Sequence, residues 1–114
     1  MAQDTYFSNA ATATATTITS APASLHSLEC SNPNATDVFV QLFNLPARIV
    51  TLGTTTPKMS LLVPGGAGAS NRGATDKMFD PPIYFDEAMS FAVTTTPAGS
   101  TAPTTNSTLN VGYA

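Results

Sequence analysis

The sequence predicts an all-β fold, a single antiparallel β-sandwich of about eight short strands. Strong helix formers are scarce, with four Met, two Lys, two Glu and two Gln, while β-branched Thr is abundant. Short segments that alternate apolar and polar residues end at Pro, Gly or Asn every 8 to 12 residues or so, which is typical of a sandwich. These features fit a jelly roll and an immunoglobulin-like sandwich equally, so both topologies stay open.

Length and charge exclude several classes of partner. The chain has 114 residues, which is enough for one domain. Charged residues make up 10% of it, against about 25% in an average soluble domain, and the net charge is −3. Nucleic acid and anionic membranes are bound through basic patches, so we expect neither as a partner. The longest apolar runs, such as 61–63, fall far below the roughly 18 residues that span a bilayer.

The first 16 residues are predicted to form an extended N-terminal arm, followed by the sandwich domain at 17–114. Residues 10–17 are a low-complexity run of Ala and Thr, which predicts a tail or an arm ordered by a neighbour. Tyr6 and Phe7 favour a docked arm over a disordered tail. The start of the chain has neither a basic residue nor an apolar segment, so we do not expect a signal peptide.

The first three strands are predicted around Ile18, at 24–31 and at 37–44. In the second, alternation places His26 on one face with Leu28 and Cys30, and Leu25 has the wrong parity for that face, which predicts an edge or a β-bulge nearby. The third is apolar on both faces. One face carries Val38, Val40 and Leu42, and the other carries Phe39, Gln41 and Phe43. Such a strand is either central in the sandwich or covered by a partner chain.

The rest of the chain predicts five more strands, separated by loops. Alternation or β-branched residues place them at 48–52, 58–63, 83–85, 89–94 and 108–113. Residues 64–73 are rich in Gly and predict a long flexible loop, and the polar stretch 68–82 extends it.

No constellation of residues predicts catalysis, a cofactor site or a metal site. His26 and Cys30 lie four residues apart in one strand, roughly 13 Å by the strand rise, which is too far for a nucleophilic pair. Asp86 and Glu87 are adjacent, so on a strand they point to opposite faces. Asp76 and Asp80 could share a calcium ion, but their spacing does not match an EF-hand loop. We therefore expect a protein that is not an enzyme.

Two short motifs invite a specific interpretation and do not support it. The segment 64–68 is rich in Gly, but no Lys-Ser or Lys-Thr follows it as a phosphate-binding loop requires. Asn34 and Asn106 begin glycosylation sequons. Because Thr and Ser are so common here and no secretory signal is seen, we attribute both sequons to chance.

The order of several segments resembles a group of small virion proteins of tailed bacteriophages, over roughly residues 18–114. The matching segments are Leu25-His26-Ser27-Leu28, Val38-Phe39-Val40-Gln41-Leu42-Phe43-Asn44, Gly53-Thr54-Thr55-Thr56-Pro57, the strand ending Val63-Pro64-Gly65-Gly66, Ile83-Tyr84-Phe85, Phe91-Ala92-Val93-Thr94 and the last strand to Tyr113. The resemblance implies a structural protein without catalytic residues, such as a capsid decoration (cement) protein. It implies partners as well: the major capsid protein, and copies of the chain itself in a homotrimer. The implied location is the capsid surface. One departure is the loop 68–82, which is longer and more polar than in that group.

Six residues are predicted as interface residues because they are large and apolar or lie in the unusual loop: Tyr6, Phe7, Phe39, Phe43, Arg72 and Lys77. Three rival functions stay open. The chain could be a tail, neck or fibre-base component of a virion. It could also be a carbohydrate-binding module, although it has no Trp and its three Tyr are scattered. An enzyme is the remotest alternative.

Overall fold

The computed structural model describes residues 3–67 and 70–114. Eight strands form two four-stranded sheets, and the strands are β1 (Asp4–Ala11), β2 (Thr16–Thr19), β3 (Ala23–Asn32), β4 (Val38–Phe43), β5 (Met59–Val63), β6 (Gly73–Phe85), β7 (Met89–Thr94) and β8 (Ser107–Tyr113). A single turn of 3₁₀ helix, Ala47–Ile49, follows β4. The predicted all-β sandwich is confirmed.

The strand order shows which sandwich this is. One sheet runs β1-β8-β3-β6 and the other runs β2-β7-β4-β5, and every neighbouring pair is antiparallel. The pairs β4–β5, β3–β6, β2–β7 and β1–β8 are nested, as in a long hairpin rolled up on itself. This nesting is the jelly-roll topology, so the structure resolves the choice that the sequence left open.

The core lies between the two sheets and is formed by alternate residues of each strand. Val38, Val40 and Leu42 of β4 are fully buried, as are Leu109 and Val111 of β8. These are the inward positions that strand alternation predicts, because successive side chains point to opposite faces.

The predicted irregularity near Leu25 is confirmed. The β3 register shifts between Leu25 and Ser27 against both neighbouring strands, β6 and β8. The shift lets Leu25 and Leu28 both face the core, although they are three residues apart. The predicted position of His26 on the core face is therefore wrong: its side chain is half-buried at the bulge.

The segment predicted as an arm is part of the sandwich. β1 is the edge strand beside β8, with Asp4 opposite Tyr113 and Ser8 opposite Leu109. The Tyr6 ring packs edge-on against Phe91 of the other sheet, with 5.7 Å between ring centroids. Strand β1 and strands β2 to β8 thus share one core, and the boundary predicted at residue 16 does not separate two bodies.

Two further predictions about local structure are wrong. Residues 48–52 do not form a strand, because after Pro46 the chain turns into the 3₁₀ helix and leaves Ile49 exposed. The predicted loop 68–82 is strand β6 from Gly73 onward, and its residues 68 and 69 lie outside the described part of the chain. Its Pro81 and Pro82 are tolerated because β6 is an edge strand whose outer side needs no backbone donors.

In the described part of the predicted flexible loop, Gly65, Gly66 and Gly73 are sites of close backbone approach. A Cβ on Gly73 would lie 1.9 Å from the Pro64 carbonyl oxygen, and one on Gly65 would lie 2.3 Å from that of Ala35. The Gly65 N–H also donates to Asp37 Oδ1 at 3.0 Å. Among the described residues, this connection is tightly packed at both ends.

Candidate functional site

The outer face of the β2-β7-β4-β5 sheet is covered by the chain itself. Gln41, Ser90 and Thr94 point away from the core between inward neighbours, yet all three are fully buried. Two connections lie over them, the one from β4 to β5 and the one from β7 to β8. We call this outer surface the covered face.

Side-chain hydrogen bonds attach both connections to the covered face. Gln41 Nε2 donates to Thr94 Oγ1 at 2.6 Å and to the Gly99 carbonyl at 3.0 Å. Ser90 Oγ donates to the Leu45 carbonyl at 2.7 Å. The polar residues on the outer side of β4 and β7 thus bind the chain's own connections. At the β5 edge of this face, Leu62 stays 48% exposed.

The outer face of the β1-β8-β3-β6 sheet has no such cover. Two rows of opposed residues cross it: Phe7, Asn110, Glu29 and Asp76 in one row, and Thr5, Gly112, Ser27 and Met78 in the next. Three large apolar side chains project from it into solvent. The exposed fractions are 62% for Phe7, 83% for Met78 and 58% for Tyr84. We call this surface the open face.

A shallow depression lies near the middle of the open face. Its volume is about 230 Å³, and the residues around it are Gln3, Thr5, Ser27, Leu28, Glu29, Asp76, Asn110, Val111 and Gly112. Gly112 forms the depression because it has no side chain, and a Cβ there would lie 2.5 Å from Ser27 Oγ. Glu29 and Asp76 lie directly opposite each other on β3 and β6, so the open face has a small acidic centre between apolar side chains.

The six predicted interface residues do not form one surface. Phe7 lies on the open face. Arg72 is exposed at the end of the open face where β3 and β8 pair. It donates to the Ser31 carbonyl and to Thr108 Oγ1, both at 3.2 Å. Phe43 is fully buried within the chain, and the Tyr6 ring packs into the core.

The other two predicted residues lie elsewhere. Phe39 is half-buried on the outer side of β4 opposite Leu62. Lys77 is exposed on the edge strand β6, opposite the inward-facing Leu28, and so it is not on the open face. Of the six, only Phe7 and Arg72 are at the open face.

Sequence reasoning missed Met78 and Tyr84 as surface residues. Met78 falls in the segment predicted as a loop, and the sequence predicts Tyr84 only as part of a short strand. Alternation with the core residues Phe79 and Phe85 would have placed both on the outer side. That signal is weakened by Pro81 and Pro82, which lie between them.

Two buried asparagines join three connections at one end of the sandwich. Asn34 Nδ2 donates to Asn32 Oδ1 at 2.8 Å and to the Thr105 carbonyl at 2.9 Å, and Asn34 Oδ1 accepts from Thr105 N–H at 2.8 Å. Asn32 Nδ2 in turn donates to the carbonyls of Thr36 and Pro64. Asn34 is 7% exposed, so its sequon is structural and its amide is not available for a glycan.

The side chains that could support chemistry are placed as follows. Cys30 is buried in the core, where desolvation raises the pKa of its thiol to about 11, so it is a poor nucleophile near neutral pH. Among residues 3–67 and 70–114, no group of three or more His, Cys, Asp or Glu side chains is placed to hold a metal ion. No helix in that part of the chain is long and apolar enough to cross a membrane.

Comparisons with known proteins found nothing similar: no family model, no curated protein and no solved structure matches this chain. The open face and the jelly-roll topology are therefore the observations from which a function can be argued.

Proposed function

We propose that the chain is a structural protein of a tailed-phage virion. On the order of its segments, we propose a capsid decoration protein that binds the outer shell as an oligomer and stabilises the head. The observation that carries the proposal is the contrast between the two outer faces. The chain's own connections cover the middle of one face and leave Leu62 exposed at its β5 edge, whereas the open face presents three large apolar side chains, Phe7, Met78 and Tyr84, to solvent. Large apolar side chains exposed at both edges of one sheet face are compatible with a protein interaction site.

The chemistry of the open face suits a protein partner. Its apolar side chains are large, and their backbone is held by pairing with β8 or β3, so docking does not have to order a loop. Small side chains such as Ser27 and Gly112 lie between them, and a flat protein surface can approach closely there. The phage assignment is supported by the resemblance of the strand segments to small virion proteins, and the jelly roll is a common fold of capsid proteins.

The mechanism is many weak contacts acting together. A standard protein interface buries about 800 Å² on each partner. A decoration protein bound at many symmetry-equivalent positions and linked to its own copies gains avidity, so each contact can be modest. Clamping neighbouring shell subunits raises the free energy needed to separate them, because anything that binds only the assembled state stabilises it.

The proposal is tested by adding the purified chain back to virions of the encoding phage that lack it. We expect Met78→Glu to lower occupancy on the particles by about tenfold or more, since it places a charge in the contact. Ile49→Glu is the matched control, because Ile49 is 51% exposed on the connection over the covered face. It should bind as the unaltered chain does.

Three outcomes would contradict the proposal. The chain could be absent from purified virions, or Met78→Glu could bind as well as the control, or both variants could lose binding equally. A ring of five, six or twelve copies at the neck or tail would instead favour the second candidate, a tail, neck or fibre-base component.

A further inference from the structure

The two flanks of the sandwich differ in charge. From Thr5 to Leu25 the sequence has no charged residue, and this segment contains β2 and all of β1 except its first residue, Asp4. These are the edge strands of the two sheets on one flank. The opposite flank is formed by β5 and β6. It carries both lysines of the chain, with Lys58 Nζ 5.6 Å from the centroid of the Phe85 ring and Lys77 exposed on β6.

Charged residues and prolines on edge strands prevent unwanted pairing with another strand. β6 has these features in Lys77, Pro81 and Pro82, and β5 lies between Lys58 and Pro64. β2 is only four residues long. β1 is the exception, because its eight residues include no Lys, Arg, Pro or Gly.

The usable part of the β1 edge is short and well defined. Its register with β8 is regular from Asp4 to Ser8 and shifts between Ser8 and Ala11. Beyond the regular part, the Ala10 N–H donates to Ser8 Oγ at 3.1 Å, so it is not free to bond to another strand. A second strand can therefore add along residues 4–8.

We propose that β1 pairs antiparallel with β1 of a second copy of this chain, about a twofold axis at Tyr6, to join two sandwiches into one eight-stranded sheet. This register uses the whole regular segment and places Asp4 opposite Ser8 and Thr5 opposite Phe7. No like charges face each other. The pairing does not depend on the proposed function.

The charge pattern favours a second copy of this chain as the partner of the β1 edge. Interface cores are depleted of charged residues, and this flank has none between Thr5 and Leu25. A twofold contact uses the same patch on both chains, so two segments whose only charged residue is the terminal Asp4 meet, and the assembly closes at two. The axis is perpendicular to the sheet, so the two open faces become one continuous surface. A pair differs from the homotrimer that the resemblance implies.

The first test is the molar mass of the full chain in solution, by light scattering across a range of concentrations. We expect a two-chain mass that dissociates on dilution. Phe7→Lys should weaken the pair by about tenfold or more, because each copy places a charge on the shared edge. Tyr84→Lys is the matched control: Tyr84 is an aromatic of similar exposure on β6, so this variant should dimerise normally.

Cysteine crosslinking tests the register. In the proposed pair, residue 5 of one chain faces residue 7 of the other at about 5 Å between Cα atoms, which a disulfide can span. Mixed Thr5→Cys and Phe7→Cys chains should therefore crosslink on oxidation. Asn9→Cys with Phe7→Cys is the control, because those positions are offset by four residues, roughly 13 Å. The native Cys30 is fully buried and does not compete.

A single-chain mass at high concentration would overturn the proposal, as would a three-chain mass. A two-chain mass in which the 5–7 mixture crosslinks no better than the 9–7 mixture would also overturn it, since the pair would then use another surface. A chain found in virions yet monomeric in solution would overturn the pairing and leave the proposed function standing.

Discussion

Asn34 offers the sharpest test of how the sandwich is held together at one end. Asn34→Ala removes three hydrogen bonds, namely the two donated by Nδ2 and the one accepted by Oδ1. Asn32 Oδ1 keeps the bond from the Asn34 backbone N–H at 2.9 Å, but the N–H and carbonyl of Thr105 lose their partner. Each bond contributes about 1 kcal/mol net, and a buried group left unpaired costs more.

The expected loss is therefore about 2–4 kcal/mol of the free energy of unfolding, against the 5–15 kcal/mol that is usual for a native protein. The assay is urea unfolding at one fixed protein concentration, followed by circular dichroism or by tyrosine fluorescence, since the chain has no Trp. Asn106→Ala, which alters the exposed asparagine of the other sequon, should change stability by less than about 0.5 kcal/mol. A loss below about 1 kcal/mol for Asn34→Ala, or equal losses for both variants, would refute the reasoning.

Three further predictions follow from the fold. Deleting residues 1–11 should strongly lower the urea midpoint, because it removes β1 and the contact of Tyr6 with Phe91. Gly73→Ala should cost about 1–3 kcal/mol, measured in the same way, because the new Cβ would collide with the Pro64 carbonyl. The folded-state pKa of Cys30 is raised from 9.0 to about 11, so the folded state holds its proton more tightly than the unfolded state does. The contribution of this proton to the free energy of unfolding is complete below pH 9. It should be lost as the pH rises to 11, and the loss is at most about 2–3 kcal/mol.

Each of these predictions has a result that would count against it. A truncated chain with an unchanged midpoint would restore the interpretation of residues 1–16 as a separate arm. Gly73→Ala with unaltered stability would mean that the backbone approach to Pro64 is not tight. For the thiol, the control is Cys30→Ala, which removes the thiol and keeps the other ionisable groups. An identical fall in stability for both proteins between pH 9 and 11 would remove Cys30 as the cause.

Local patterns predicted most of the fold, because buried strands keep strict alternation. The spacing of Val38, Val40 and Leu42 predicted β4, and the wrong parity of Leu25 predicted the bulge. Prediction failed where a residue is selected for tertiary contact. Gly73 looks like a loop residue, yet it allows close packing against the Pro64 carbonyl. The apolar residues of 48–52 look like a strand, but that segment is part of the connection over the covered face.

The open face could be predicted only in part. Phe7 was identified from its apolar character alone. Whether Phe39 and Phe43 would be covered by the core, by loops or by a partner depended on the β4–β5 and β7–β8 connections, and no local pattern shows where those connections pack. The sequence did not predict Met78 as a strand residue, because two prolines follow it in β6. Its surface position depends on pairing with Ser27, which lies 51 positions earlier in the chain.

The central claim is that the open face, the outer surface of the β1-β8-β3-β6 sheet, docks on a shell made of other protein copies. If the chain is a phage protein, as proposed, a reconstruction of that phage's virion by electron cryomicroscopy tests this claim most directly. We expect many copies of the sandwich over the head, with Phe7, Met78 and Tyr84 turned toward the shell. Virions that contain no copy, or copies whose open face is turned toward solvent, would contradict it.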